Sequence, residues 1–217
     1  LPQAGEARCG GAITPISAIQ GRGAVTPLDG ETVTTRGVVT GDFTDGAQLG
    51  GFFLQQPGAN SQPRSGASRG LFVYAPELAV APGERLLVKG EAGEYYGMTQ
   101  LSDVAIEARC GKGEPVAPVV AGLPLSDGQR QRLQGMKLRL EPPLTITGMA
   151  ELGPYGVFTV ADARLFAPTQ VHVPGPAAMD AADANRRRLL RIDDGSRRRN
   201  PPLPDGVRSA MTDGEGV

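Results

Sequence analysis

Seven arginines fall within fourteen residues of this chain: Arg186, Arg187, Arg188 and Arg191, then Arg197, Arg198 and Arg199. A guanidinium group is a planar fork of five donors that stays charged at any ordinary pH, and it matches phosphate oxygens well. Within the stretch only Asp193 and Asp194 oppose the cluster. The first group ends a helix and so answers the negative end of that helix's own dipole. The second group lies in a loop and has no helix to serve. Solvated charge and contact with a nucleic-acid backbone both remain open.

Aromatic side chains offer a second chemistry, because a base stacks on an exposed ring. Phe72 and Tyr74 share one face of a strand and Leu71 and Val73 the other; Phe52 and Leu54 likewise oppose Phe53 and Gln55. If Leu71 and Val73 point inward, Phe72 and Tyr74 are exposed stackers; otherwise they are core. Tyr95 and Tyr96, in "GERLLVKGEAGEYYGMTQLSDV", are adjacent, so along a strand they point to opposite faces. At most one can face a ligand, with Tyr96 as the candidate, and the other packs on the barrel; Glu91 and Glu94 would repel phosphate nearby, so the hairpin reads mostly as wall.

Other reactive residues are sparse. His172 is the only histidine, and in "TQVHVPG" it alternates with Val171 and Val173 as an outward strand residue. Asp42 and Asp45 in "GDFTDGAQLGG" are part of a calcium shell at most, and a plain hairpin loop explains them. Gly21 and Gly23 are too few for a loop that cradles phosphate. Cys9 and Cys110 lack metal-site spacing but sit in near-identical contexts, "EARCGG" and "EARCGK". A disulfide closing the intervening segment is expected, with two buried free thiols as the alternative.

The elements that must position these residues are mostly strands. The chain has 217 residues with 31 glycines and 19 prolines, a turn-rich composition that suits an all-β protein. Its net charge of −1 excludes a uniformly basic nucleic-acid binder, so any electrostatic footprint is local. "ETVTTRGVVTGDF", "GGFFLQQP", "RGLFVYAP", "ERLLVKGEA" and "GMTQLSDVAIEA" read as five strands. "GKGEPVAPVVAGLPL" marks a boundary, and "SDGQRQRLQGM" supplies one or two helical turns. Strands resume in "MKLRLEPPLTITGMAEL", "YGVFTVAD" and "ARLFAPTQVHVPG", and one full helix spans residues 176–190.

The expected fold is therefore all-β with one helix, as tandem OB-type barrels with the second incomplete. Residues 1–115 form the first barrel, 116–135 a linker and 136–217 the second unit. "DGETV", "PGERL" and "DGEGV" share a pattern that opens strands in the first two cases, which suggests that the chain stops as another strand begins. A disulfide, an initial Leu1 and no run of transmembrane length point to a secreted, extracellular or periplasmic protein.

"ITPISAIQG", "VTTRGVVTGDF", "GFFLQQP", "SRGLFVYAP" and "VKGEAGEYYGMTQLSDV", with "LFAPTQVHVPG" and "LRIDDGSRRRNPP" later, resemble a region of secreted bacterial nucleases. That region precedes an endonuclease/exonuclease/phosphatase-type catalytic domain, and the likeness runs from about Ile13 to Pro202. It implies a non-catalytic OB-like region that positions DNA or RNA for a hydrolase beyond Val217. Mg or Ca would then serve that absent domain, with no cofactor in this stretch. A single histidine agrees, since such hydrolysis needs two imidazoles in separate roles. The competing expectation is a structural or interaction module that docks the catalytic domain or the cell surface without nucleic acid. Oligosaccharide binding suits the fold but lacks tryptophan, the usual stacking residue for sugars.

Overall fold

A computed structural model describes residues 9–57 and 66–202. Most of the polar stretch "GANSQPRSGAS" and the third Gly-Glu-x-aliphatic copy at 213–217 lie outside the described residues. The fold is mainly β. Its helices are short, and among the described residues there are five: α1 (Ile16–Gln20), α2 (Asp127–Leu133), α3 (Leu152–Tyr155), α4 (Pro168–Val171) and α5 (Pro176–Arg188); α2 matches the helical turns expected in "SDGQRQRLQGM", α5 the one full helix, and the other three were not expected. The chain divides into two compact units, residues 1–119 with 128–139, and residues 120–127 with 140–217. The segment 128–139, expected to be mostly linker, belongs to the first unit.

Five strands close the first unit into a barrel of order β1-β2-β3-β5-β4: β1 (Thr32–Phe43), β2 (Gly51–Gln55), β3 (Gly70–Tyr74), β4 (Glu84–Tyr95) and β5 (Met98–Lys112). Every pairing is antiparallel except β3 with β5, which meet in parallel through only two rungs, Phe72 with Gln100 and Val73 with Leu101. Strand alternation decides what fills the interior. Phe52, Leu54, Leu71, Val73, Leu86, Val88 and Leu101 point inward and are fully buried. Helix α1 adds Ile16 and Ile19 to the same cluster, so a side chain from outside the sheet plugs the barrel. Each such buried aliphatic side chain contributes about 1.5 to 3 kcal/mol.

Two ties hold the periphery. Cys9 and Cys110 form a disulfide with Cα atoms 5.8 Å apart, packed with Leu87 and Ala108. It anchors the segment ahead of α1 to the end of β5, as the duplicated sequence context predicts. The other tie is a strap, residues 134–137, laid across the start of β3. A Cβ on Gly70 would sit 2.2 Å from the Gly135 carbonyl carbon, so the two backbones touch where neither has a side chain. The Ser68 hydroxyl donates to the Gln134 carbonyl at 2.6 Å, and the Lys137 amide donates to Gln55 Oε1 at 2.8 Å. The Gln134 side chain behaves as a peptide group would: its Oε1 accepts from the Thr99 amide at 3.0 Å and its Nε2 donates to the Gly97 carbonyl at 2.9 Å. The strap thereby bonds to strand ends on β2 and β5 beside a seam that β3 and β5 barely close.

The second unit holds an open three-stranded antiparallel sheet, β8 (Thr145–Gly148), β9 (Phe158–Ala161) and β10 (Leu189–Ile192), with β9 in the middle. Among the described residues this sheet does not close, so no second barrel forms there. The short pair β6 (Val119–Ala121) and β7 (Leu138–Leu140) lies where the chain passes between units. Two elements differ from expectation. "APTQV" makes α4 instead of a strand, because Pro168 presets the first turn and Gln170 Oε1 accepts from the Ala167 amide at 3.0 Å. His172 follows that helix in extended backbone, so it is no strand residue. Helix α5 ends at Arg188 rather than at 190, because Leu189 turns extended and starts β10.

Candidate functional site

The outward face of β2 and β3 follows from the inward one. With Leu71, Val73, Phe52 and Leu54 inside, Gly51, Phe53 and Gln55 face out on β2, and Gly70, Phe72 and Tyr74 face out on β3. Antiparallel register stacks them as three rungs: Gly51 beside Tyr74, Phe53 beside Phe72, and Gln55 beside Gly70. The middle rung is aromatic. Phe53 and Phe72 lie 5.1 Å apart between ring centroids, and Phe43 from β1 meets Phe53 edge to face at 5.9 Å. Both spacings fall in the favourable range for aromatic pairs. The result is a row of three rings across three strands.

The face is not equally open along its length. The strap covers the Gln55 and Gly70 rung, using the bonds already described. Phe72 points outward, as the inward Leu71 and Val73 require, yet it is only 4% exposed. Phe53 leans on it, and Gly51 leaves room for the ring to lie flat: a Cβ there would sit 2.7 Å from Phe72 Cζ. The expectation that Phe72 stacks a ligand is therefore corrected, since its ring supports the row from beneath. Phe53 and Phe43 remain half-buried, and Tyr74 is 41% exposed on the adjoining rung. Those three rings are accessible.

The β4–β5 hairpin corrects another expectation. Tyr96 is not in a strand but in a two-residue turn with Gly97, at φ 49° and 78°, the positive pair that defines a type I′ turn. Strand alternation therefore does not send one tyrosine inward. Tyr95 is 58% and Tyr96 94% exposed, with rings edge to face at 4.6 Å. Glu94 does not present charge to a ligand as expected, because it turns inward. Its Oε1 accepts from the Thr26 amide at 2.8 Å and from the Thr99 hydroxyl at 2.6 Å.

The acidic pair at the β1–β2 turn has local work. Asp42 Oδ1 accepts from the amide and hydroxyl of Thr44, and Asp45 Oδ1 accepts from the Ala47 amide. These are Asx-type turns, which shape the loop without a metal. Among the described residues no cluster of three or more metal-ligating side chains forms, and no helix is long and apolar enough to cross a membrane.

The arginine cluster of the second unit is answered by carboxylates distant in sequence. Arg186 bonds Asp127 at 2.7 Å, with Asp183 at 3.8 Å; Arg188 bonds Asp162 at 2.7 Å; Arg191 meets Glu151 at 2.9 Å. The hydrogen bond and charge of Asp127 raise the Arg186 pKa above its ordinary value, so its charge is secure but already engaged. Arg199 lies over the Tyr155 ring at 5.8 Å. The local count of opposing charge, Asp193 and Asp194 alone, was the wrong measure. Those two accept from the Gly195 and Ser196 amides and shape the loop. Arg187, Arg197 and Arg198 complete the set; Arg197 and Arg198 are exposed on that loop.

Phe43 is a site residue that sequence reasoning missed. Its signal was its position at the end of β1, where the register with Gly51 brings it beside Phe53. Comparison with protein-family models, with curated proteins and with solved structures gave no match.

Proposed function

We propose that this polypeptide is a non-catalytic nucleic-acid-binding region of a secreted nuclease, and that its barrel is of the OB type. Five strands in the order 1-2-3-5-4, with β3 and β5 parallel and an outward aromatic surface on β2 and β3, support the OB reading. The single observation that carries the function is the set of accessible rings Phe43, Phe53 and Tyr74, with Phe72 supporting them from beneath, on that same surface. Stacking of bases on such rings is tolerant of sequence, which suits a positioning role. In this reading the polypeptide holds DNA or RNA while a separate metal-dependent domain, using Mg or Ca, breaks the phosphodiester bond. The disulfide fits export to an oxidising compartment.

A second reading is favoured by the ion pairs. Arg186, Arg188 and Arg191 are already matched to carboxylates, as in a structural or interaction module that docks a catalytic domain or cell surface without nucleic acid. Fluorescence anisotropy with labelled single-stranded and double-stranded DNA and RNA, across a salt series, separates the two. Nucleic-acid binding that weakens in Phe53→Ala and Tyr74→Ala supports the first. No detectable binding by the unmodified protein at low salt rejects it in favour of the second.

A further inference from the structure

The strap that borders the aromatic row belongs to a segment with an unusual charge. Residues 128–139, "GQRQRLQGMKLR", hold four cations, Arg130, Arg132, Lys137 and Arg139, and no carboxylate. The rest of the first unit mixes both signs along its strands. The contacts of residues 134–137 fix where the middle of this segment lies. Gly135 sits against Gly70, and the Lys137 amide is bonded to Gln55, so the backbone runs over the rung immediately next to Phe53 and Phe72. Arg132, Lys137 and Arg139 are exposed, and among the described residues no ion pair involves them.

We propose that Arg132, Lys137 and Arg139 form a cationic rail that takes the phosphodiester backbone of a nucleic acid whose bases stack on Phe53, Phe43 and Tyr74. The inference rests on the nucleic-acid reading and deepens it by moving the electrostatic contact from the arginines at 186–199 to the strap. Three features carry it. Stacking places a base ring on the floor and leaves the sugar-phosphate chain to one side, where the strap stands. Exposed cations with no carboxylate partner release counterions when phosphate arrives, whereas Arg186, Arg188 and Arg191 would first have to give up Asp127, Asp162 and Glu151. Finally, the backbone of the strap is held by the glycine contact, Ser68, Gln55 and the two Gln134 bonds, so Lys137 stands on an anchored stretch that Arg132 and Arg139 flank in sequence.

The test uses the whole chain and a fluorescein-labelled oligothymidylate over a salt series. The triple variant Arg132→Gln, Lys137→Gln, Arg139→Gln should lower the slope of log K against log salt by about 2, at roughly 0.7 per phosphate contact on a single strand. Restoring charge with Arg132→Lys, Lys137→Arg and Arg139→Lys should recover the slope, which a purely structural role would not require. The matching triple Arg197→Gln, Arg198→Gln, Arg199→Gln should change it far less. An unchanged slope in the strap variant while Phe53→Ala weakens binding overturns the rail and leaves the nucleic-acid reading standing. A slope lost only with Arg197, Arg198 and Arg199 overturns it in the same way. No binding by the unmodified protein removes both.

Discussion

The outer face of the barrel and the arginine-rich stretch of the second unit carry cations in opposite states of engagement. On the barrel, strand register sets the rings in a row, and a strap that glycine allows to lie flush runs over the next rung and carries the exposed Lys137. In the second unit the cations are more numerous, yet three are tied to Asp127, Asp162 and Glu151, and Arg199 rests on Tyr155. Counting charge along a sequence overstates what a site offers. What matters is whether folding has already matched that charge.

The largest effect expected from breaking this contrast concerns the framework of the barrel alone. Replacing both cysteines, Cys9→Ser with Cys110→Ser, removes a cross-link over 101 residues and should cost about 4 to 5 kcal/mol on the chain-entropy model. Urea unfolding followed by tyrosine fluorescence measures it. Hydrogen exchange in β8, β9 and β10 should stay unchanged, and loss of protection there would show that the second unit does not fold independently of the cross-link. Next in size is Phe53→Ala, which removes the central accessible ring. Its loss should cost about 1 to 3 kcal/mol of oligonucleotide affinity, the usual worth of one stacked base.

Smaller still is Tyr96→Asn. A bulky side chain at positive φ is unfavourable, whereas Asn-Gly is the preferred pair for this turn, so stability should rise by about 1 kcal/mol. A fall in the unfolding midpoint would mean that the exposed tyrosine pair stabilises the hairpin more than its backbone strain costs. The smallest effect belongs to Arg191→Ala. Its exposed pair with Glu151 should be worth between about 0 and 1 kcal/mol, with oligonucleotide affinity unchanged. A clear loss of affinity would return the phosphate contact to the second unit.

The strands of the first unit were legible because alternation of apolar and polar residues is a short-range signal, and the disulfide because its two contexts repeat. The strap was not legible. Its seat depends on Gly70 and Gly135 meeting without side chains, and no local pattern links residues so far apart. The pairing of the arginines failed for the same reason, since Arg186 finds Asp127 across 59 positions and Arg188 finds Asp162 across 26. Helix α4 was hidden by Val171 and Val173, whose branched side chains suggest a strand, while Pro168 and Gln170 decide the backbone. Phe72 shows the limit of alternation itself. Alternation put Phe72 and Tyr74 on one face but left open which face is inward, and the covering of Phe72 depended on Gly51 and the neighbouring ring.

The bond between Cys9 and Cys110 encloses the first four strands of the barrel and most of the fifth. A protease that severs one loop between those residues therefore does not release a piece: both halves remain joined through sulfur and through the paired strands. A nicked molecule would migrate intact on a gel until a reducing agent is added, and only then separate into two bands.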